Sequence, residues 1–379
     1  MEATVKASRN SGGNAPFIMS GAPGPEAVIN GRKCVYFGGT GYYALQGSPA
    51  LVRAAAAAMK EYGVHAAASR SGYGTTRLLL DTEKKLAAYF GTQDALYFAS
   101  AYLSGLFMAQ GLADRFDVAF ADETSHFSVL DGAYAARKPV VLYRHRDAGD
   151  LRAKLKSRLK PNQRPLVITD GVFPTYGEIA PLPDLLKELA PYGGILCVDD
   201  AHGVGVLGRR GRGTCEHFGL QPSDNLIMSG TLSKAFGGYG GFIPASSAII
   251  QRLKLGAGAY GGASAVPAPM AAASLTGLEL VRRHPEWRAR LKHNTARLKQ
   301  GLRKLGIDAG DSPFPIATWT LPSTEEMLRV QRELFARGIA LACINYVGAP
   351  QGGVLRATIF SAHTDAHIDH LLAALKPLL

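Results

Sequence analysis

Residues 193–203 read Gly-Gly-Ile-Leu-Cys-Val-Asp-Asp-Ala-His-Gly, an apolar run that stops abruptly on two acids. A short apolar run bounded by glycines is what a strand covered on both faces looks like. The pattern recurs on either side: DALYFAS at 94–100, DVAFADE at 117–123, KPVVLYRH at 138–145, RPLVITDG at 164–171 and NLIMSGT at 225–231. Helix-like stretches separate these runs. That alternation predicts an α/β fold built on a large, mostly parallel sheet. In such sheets a ligand sits at the carboxyl ends of the strands. The polar residues there are Asp122, Asp170, Asp199, Asp200, His202 and Thr231.

Farther out, residues 1–33 are rich in Gly, Ser, Asn and Pro and read as an arm or loop. Residues 48–62 read as a helix, 65–76 as a loop, and 77–90 as an amphipathic helix with Leu78, Leu79, Leu86 and Phe90 apolar. The texture changes after Pro267. Long helices are expected over 268–304, followed by ATWTLP (317–322), a helix at 323–337, IALACIN (339–345), VLRATIF (354–360) and a last helix at 364–377. The expected organisation is an N-terminal arm (1–46), a large domain (47–266) and a smaller C-terminal α+β domain (267–379).

The chain has 379 residues, enough for two or three domains at about 150 residues each. It is 47% hydrophobic and 19% charged, which excludes a mainly disordered protein. No apolar run reaches the roughly 18 residues of a membrane span. Met1 to Ala22 lacks the apolar stretch of a secretory signal. Cys34, Cys197, Cys215 and Cys343 are widely spaced, with no zinc-type spacing, so a reduced cytoplasmic protein without a metal is expected. Lys plus Arg number 42 against 30 Asp plus Glu, a net +12. That excess suits nucleic acid or an anionic substrate. The basic residues are mostly scattered. Arg209, Arg210 and Arg212 lie in a glycine-rich loop, and Arg282, Arg283, Arg288 and Arg290 read as a solvated helix. No nucleic-acid-binding motif is present, so no nucleic-acid partner is expected.

The chemistry is concentrated in two stretches. In Ser229-Gly-Thr-Leu-Ser-Lys234-Ala-Phe-Gly-Gly-Tyr-Gly-Gly-Phe242 a lysine follows a strand and precedes a glycine-dense loop. An amine there can form a Schiff base with an aldehyde cofactor. Hydroxyls at Thr231 and Ser233 could bind a phosphate. Taken alone, a lysine near glycines is a surface lysine in most proteins. In the second stretch, Cys197-Val-Asp199-Asp200-Ala-His202, an acid ends a strand and could keep a pyridine nitrogen protonated. The bland alternative is a helix-capping Asp with a structural His. Asp199 lies 35 residues before Lys234, one βα-sized interval, and the ordered pair is far more specific than either half.

From about Phe37 to its C-terminus the sequence resembles the α-oxoamine synthases, pyridoxal-phosphate enzymes of fold type I. VDDAHGVGVLGRRGRG (198–213), SGTLSKAFGGYGGF (229–242), DGVFPTYGEIAPLPDL (170–185) and LRATIFSAHT (355–364) carry the resemblance. It implies pyridoxal 5'-phosphate as cofactor, with Lys234 forming its Schiff base. Asp199 would pair with the ring nitrogen, His202 with the phenolic oxygen, and His126 would stack on the ring. Thr231 and the backbone amides of Ala101 and Tyr102, after Ser100, would bind the phosphate, and a helix start there suits an anion. Ser264 matches a phosphate ligand donated by the partner subunit, which implies a homodimer with shared sites. Lys234, Asp199, His126 and His202 would be the catalytic set.

Arg356 matches the arginine for the amino-acid carboxylate, for which a planar bidentate fork is suited. Its alternative is a salt bridge to a nearby acid. Thr40, Tyr42 and Ser69 fall on the substrate side. The implied reaction condenses an α-amino acid with an acyl thioester, on coenzyme A or a carrier protein, usually with loss of carbon dioxide, to an α-amino ketone. Departures cluster on the substrate side: Thr40 and Gly105 stand where the family has Asn, Leu79 where it has His, and Pro174 where it often has Ser. An aminotransferase, aldolase or decarboxylase on the same fold stays open, as does a non-catalytic basic binding protein.

Overall fold

The computed structural model describes residues 17–379. The apolar runs assemble into a seven-stranded sheet, in the order Asp94–Phe98, Gly241–Ala245, Leu226–Thr231, Ile195–Asp199, Pro165–Asp170, Val118–Asp122, Val140–Tyr143. The last five pair in parallel. Every residue of Ile195–Asp199 and Val118–Asp122 is buried, as a sheet covered on both faces requires. Register places Asp170 beside Asp199 and Asp199 beside Ser229, so the acids gather at one carboxyl edge.

The strand Gly241–Ala245 corrects the sequence reading, which ran a glycine-dense loop from Lys234 on to Phe242. It runs antiparallel to both neighbours, Asp94–Phe98 and Leu226–Thr231. The glycines there serve close approach. A Cβ on Gly241 would lie 2.5 Å from the Phe98 ring and 2.6 Å from the Ala101 Cα.

The arm reading is corrected as well. Glu26–Ile29 and Arg32–Tyr36 form a hairpin. Its turn is Asn30-Gly31, with φ of 49° and 74°, as a two-residue primed turn demands. Met19–Ser20 adds one strand, and Arg32–Tyr36 pairs in parallel with Ile339–Ala340. Ala27, Ile29 and Cys34 pack on Ala340. These residues are therefore sheet, tied to the C-terminal part of the chain. Residues 1–16 of the expected arm lie outside the described residues.

The helices Pro49–Tyr62 and Arg77–Phe90 form where the sequence places them, and Leu79 is fully buried in the core. The run 268–304 is two helices, Ala268–Arg283 and Glu286–Lys304, separated by His284-Pro285. Residues 339–345 split between two sheets. Ala342–Ile344 joins a three-stranded antiparallel sheet with Ile316–Trp319 and Val354–Thr358, whose central strand carries Arg356. Among the described residues no helix is long and apolar enough to cross a membrane. No group of three or more His, Cys, Asp or Glu among them could hold a metal. All four cysteines are free.

A buried ion pair ties the loop 65–76 to the core. The Arg70 guanidinium donates to both Glu83 carboxylate oxygens at 2.9 and 3.0 Å, and also to the Tyr97 carbonyl. Glu83 also accepts from the Tyr97 amide at 3.0 Å. Removing one partner strands the other charge, which costs about 3–5 kcal/mol. Glu83→Ala should lose that much in urea denaturation, while replacing both partners by apolar residues should recover most of it. A loss below about 1 kcal/mol in Glu83→Ala contradicts this reading.

His145 is a second anchor. Its Nδ1 lies 3.1 Å from Asp122 Oδ1 and its Nε2 lies 3.0 Å from Glu178 Oε2. Burial alone would lower its pKa, but the bonds to the two carboxylates win and raise it to about 9. A raised folded-state pKa stabilises fully below the ordinary value of 6.5, and that stability is lost as pH rises through 9. The contribution is on the order of 3 kcal/mol. Wild type should lose stability between about pH 6.5 and about pH 9.5 relative to His145→Gln, measured by urea midpoint. Parallel curves for the two proteins contradict it.

Candidate active site

Lys234 follows the strand Leu226–Thr231 in a tight loop. Leu232 N–H donates to the Gly240 carbonyl at 2.9 Å and Gly238 N–H to the Leu232 carbonyl at 2.8 Å. Gln46 clamps the turn from the other side, its Nε2 donating to the Lys234 carbonyl at 3.0 Å. Gly237 sits at φ +68°, and a Cβ there would lie 2.5 Å from the Leu45 side chain. The Lys234 amine feels the charges of Asp199 and Asp170 at the strand ends. Burial pushes its pKa down to about 8, against their pull.

Asp199 is 5% exposed and accepts the Ala201 amide at 3.1 Å. Burial raises its pKa, and Lys234 only partly offsets that. Asp170, its register neighbour, is raised well above the usual range by burial and by the Asp199 charge. Asp170 also has a positioning contact: its Oδ2 accepts the His126 amide at 2.8 Å. Asp200, one residue on, does different work. Its two oxygens accept the Thr214 amide and hydroxyl, each at 2.6 Å, and so anchor the 203–213 loop.

His126 caps the helix Phe127–Ala135, and its Nδ1 accepts the Ser128 amide at 3.2 Å. Burial, then the Lys234 charge, push its pKa down to about 4, so the ring is neutral. His202 is also buried, and its pKa is well below the ordinary value for the same reason, with Lys234, Arg356 and His126 adding to the effect. Its Nδ1 lies 2.7 Å from the Tyr42 hydroxyl. Tyr42 is held there because residues 37–42 run along the Arg356 strand. Thr358 N–H donates to the Phe37 carbonyl at 2.7 Å, the Thr358 hydroxyl to the Gly39 carbonyl at 2.8 Å, and Ser361 N–H to the Tyr42 carbonyl at 2.8 Å.

Arg356 is 7% exposed. Burial lowers its pKa, and the groups facing it are Tyr42, Tyr346 and Tyr36. Among the described residues no carboxylate pairs with it, and its Nε is buried without a hydrogen-bond partner. The salt-bridge alternative therefore has no partner here. A buried, unpaired guanidinium is costly unless a ligand supplies the anion.

The remaining expected residues sit as follows. The Thr231 hydroxyl donates to the Gly240 carbonyl at 3.0 Å and accepts the Ser233 amide at 3.1 Å, so it is engaged within its own loop. Ser100 ends the run 94–100 and accepts the Tyr102 amide at 3.3 Å, and a 3₁₀ turn at Ala101–Leu103 leads into the helix Ser104–Gly111. Thr40 is half-buried. Ser69 and Ser264 bridge to each other, and neither has a hydrogen bond to the Lys234, Asp199, His126 and His202 group. The Gly105 departure has a packing cause: a Cβ there would lie 2.7 Å from the Ser128 carbonyl and 3.2 Å from the Gly132 Cα. Two helices cross at that point, and Asn would not fit. The Asp170–His126 bond and Tyr346, whose hydroxyl lies 2.6 Å from His126 Nε2, were not foreseen as parts of the site. Asp170 was visible as a strand-end acid. Tyr346 carried no sequence signal.

The set suits pyridoxal phosphate on its own chemistry. It combines a recessed amine of lowered pKa, a buried acid in electrostatic reach of it, a neutral imidazole on each of two elements, and a buried guanidinium lacking an anion. The Ser104 and Ser125 hydroxyls are also buried without partners.

Comparison with known proteins agrees. The profile of the family described as aminotransferase class I and II matches residues 35–375. An 8-amino-7-oxononanoate synthase of Thioalkalivibrio sulfidiphilus is 36% identical over 359 residues, 94% of this chain and 91% of the relative. A serine palmitoyltransferase of Bacteroides thetaiotaomicron is 34% identical over 366 residues, 95% and 92% of the two chains. The solved structure of a serine palmitoyltransferase from S. paucimobilis with bound PLP–myriocin aldimine superposes with a TM-score of 0.90 at 27% identity, covering 96% of this chain and 92% of the other. The chain belongs to the aminotransferase class I and II family and, within it, to the α-oxoamine synthases, pyridoxal-phosphate-dependent enzymes of fold type I.

Proposed function

We propose that this enzyme joins an α-amino acid to the acyl group of a thioester, carried on coenzyme A or a carrier protein, and releases the thiol and carbon dioxide to leave an α-amino ketone. The observation that carries this reading is Arg356, a buried guanidinium without a protein anion, on the same side as Lys234 and Asp199. The names of the relatives, 8-amino-7-oxononanoate synthase and serine palmitoyltransferase, support it.

Pyridoxal phosphate, when bound, supplies an aldehyde for the amine and a ring that takes up the electron pair released at Cα. Lys234 would hold it covalently, and the same amine would move the proton at the substrate Cα. The lowered pKa suits that work, because a base is most useful when its pKa is near the working pH. Asp199 would hold the proton on the ring nitrogen. His126, a neutral, flat group, would cover the ring, and His202, fixed by Tyr42, would meet the phenolic oxygen. The amides of Ala101 and Tyr102, with Ser100 at the turn, would hold the phosphate, and Thr231 would join them in place of its bond to the Gly240 carbonyl. Arg356 takes the amino-acid carboxylate as a bidentate clamp, with Thr40 and Tyr42 around the substrate, while Ser69, which lies against Ser264, would face the substrate of a second copy.

Ser264 serves the site of a second copy in a homodimer, which accords with its lying against Ser69 and apart from the Lys234 group of its own chain. The four free cysteines accord with a cytoplasmic protein.

The test is a thiol assay on the holoenzyme. L-serine, L-alanine and glycine are each offered with acyl-CoA and acyl-carrier-protein thioesters of graded chain length. Thiol release that needs both substrates is the expected result. Amino-acid binding without thiol release from any thioester overturns the reading.

A further inference from the structure

The segment 345–353 links the strands Ala342–Ile344 and Val354–Thr358 and crosses to the large sheet domain. The Thr175 hydroxyl donates to the Val347 carbonyl at 2.5 Å. Gly348 lies beside Thr124, whose Cβ is 3.5 Å from where a Gly348 Cβ would be. The strap delivers Tyr346 onto the His126 helix start. Its ring meets Phe127 edge-on, with centroids 5.6 Å apart, and its hydroxyl lies 2.6 Å from His126 Nε2.

His126 Nδ1 faces the Ser128 backbone N–H at 3.2 Å, a group that can only donate, and the Ser128 hydroxyl at 2.7 Å, which then donates as well, so Nδ1 carries no proton. In a neutral imidazole the proton is then on Nε2. Nε2–H therefore donates to the Tyr346 oxygen. The phenol's own proton is left over, and among the described residues its hydroxyl has no other hydrogen-bond partner. Burial raises the Tyr346 pKa, so the proton stays on. A half-buried hydroxyl with a spare proton thus stands at the edge of the site, near Arg356 and Asp170.

We propose that Tyr346 is a further catalytic residue, whose hydroxyl donates a hydrogen bond to the acyl carbonyl oxygen of the thioester as that oxygen gains negative charge. The inference rests on the condensation reading above. Position selects the acyl group over the amino acid: Arg356 is buried deep and takes the carboxylate, whereas Tyr346 sits on the outer strap, where the second substrate arrives. In the step, the electron pair at Cα forms a bond to the acyl carbon and the carbonyl π pair moves to oxygen. That pair then returns, the carbon–sulfur bond breaks, and the thiolate leaves and takes a proton from water. Tyr346 keeps its proton throughout and stabilises only the oxyanion, the kind of contact that accelerates a reaction because it strengthens in the transition state.

Tyr346→Phe keeps the ring on Phe127 and removes the hydroxyl. In the holoenzyme the variant should exchange the amino-acid α-proton with solvent deuterium as fast as wild type, with the same amino-acid affinity. Its kcat for thiol release should fall by about 100-fold, the effect of removing one oxyanion donor. Thiol release at the wild-type rate overturns the role. Equal losses in deuterium exchange and thiol release also overturn it, because they would mean that Tyr346 only positions His126. A wild-type enzyme that exchanges deuterium but releases no thiol overturns the condensation reading, and this role with it.

Discussion

Lys234→Ala should lose roughly 10³-fold or more of turnover, because in the proposed mechanism one amine both anchors the cofactor and moves the Cα proton, and general-base catalysis alone contributes about 10²–10⁴-fold. The fold should suffer little. Burial of the Lys234 charge is a cost, as its lowered pKa records, while the same charge offsets those of Asp199 and Asp170, so truncation removes one cost and adds another. The expected result is an inactive variant whose apo form melts close to wild-type apo protein. The variant should also lack the visible absorption of a lysine-bound cofactor while still retaining pyridoxal phosphate noncovalently. Turnover within about tenfold of wild type would mean that another base serves the Cα proton.

Asp199→Asn should lower turnover by about 10²–10³-fold, the scale of removing one preorganised electrostatic contact in a buried site. Asn cannot hold the ring nitrogen protonated, so the electron pair released at Cα has a poorer sink. The same substitution should raise the stability of the apo protein. Asp199 and Asp170 are buried neighbours, and the pKa values of both are raised, which means that ionising them destabilises the folded state at neutral pH. A neutral amide removes one of those charges. An apo melting temperature a few degrees above wild type, together with the loss of rate, is the expected pair of results. A variant that loses rate and stability together would mean that Asp199 is mainly a structural anchor like Asp200.

Much of this was legible in the sequence, for definable reasons. Four of the five parallel strands could be read because each is buried on both faces and so carries a short apolar run that ends on a polar residue; the fifth, the edge strand Val140–Tyr143, is only partly buried but keeps the apolar run. Asp199 and Lys234 stood out because the chemistry fixes their order and interval. The strand Gly241–Ala245 was hidden because Gly240 and Gly241 are dictated by close approach of the Phe98 and Ala101 backbones and resemble a loop in composition. The hairpin at 26–36 was hidden in a polar, glycine-rich stretch, although Asn30-Gly31 between alternating residues is a local hairpin signal that a closer reading would have found.

The Asp170–His126 bond spans 44 residues and the His126–Tyr346 bond spans 220, and no periodicity reports such contacts. The Arg356 question was one of absence. Only the folded chain reveals that tyrosines, and no carboxylate, face it.

The proposed mechanism stands or falls on Lys234, in electrostatic reach of Asp199, carrying the cofactor. The direct test is to load the protein with pyridoxal phosphate, reduce it with borohydride, digest it and locate the pyridoxyl group by mass spectrometry. A single modified residue, Lys234, is the expected result. A label on another lysine, or none after loading, would contradict it.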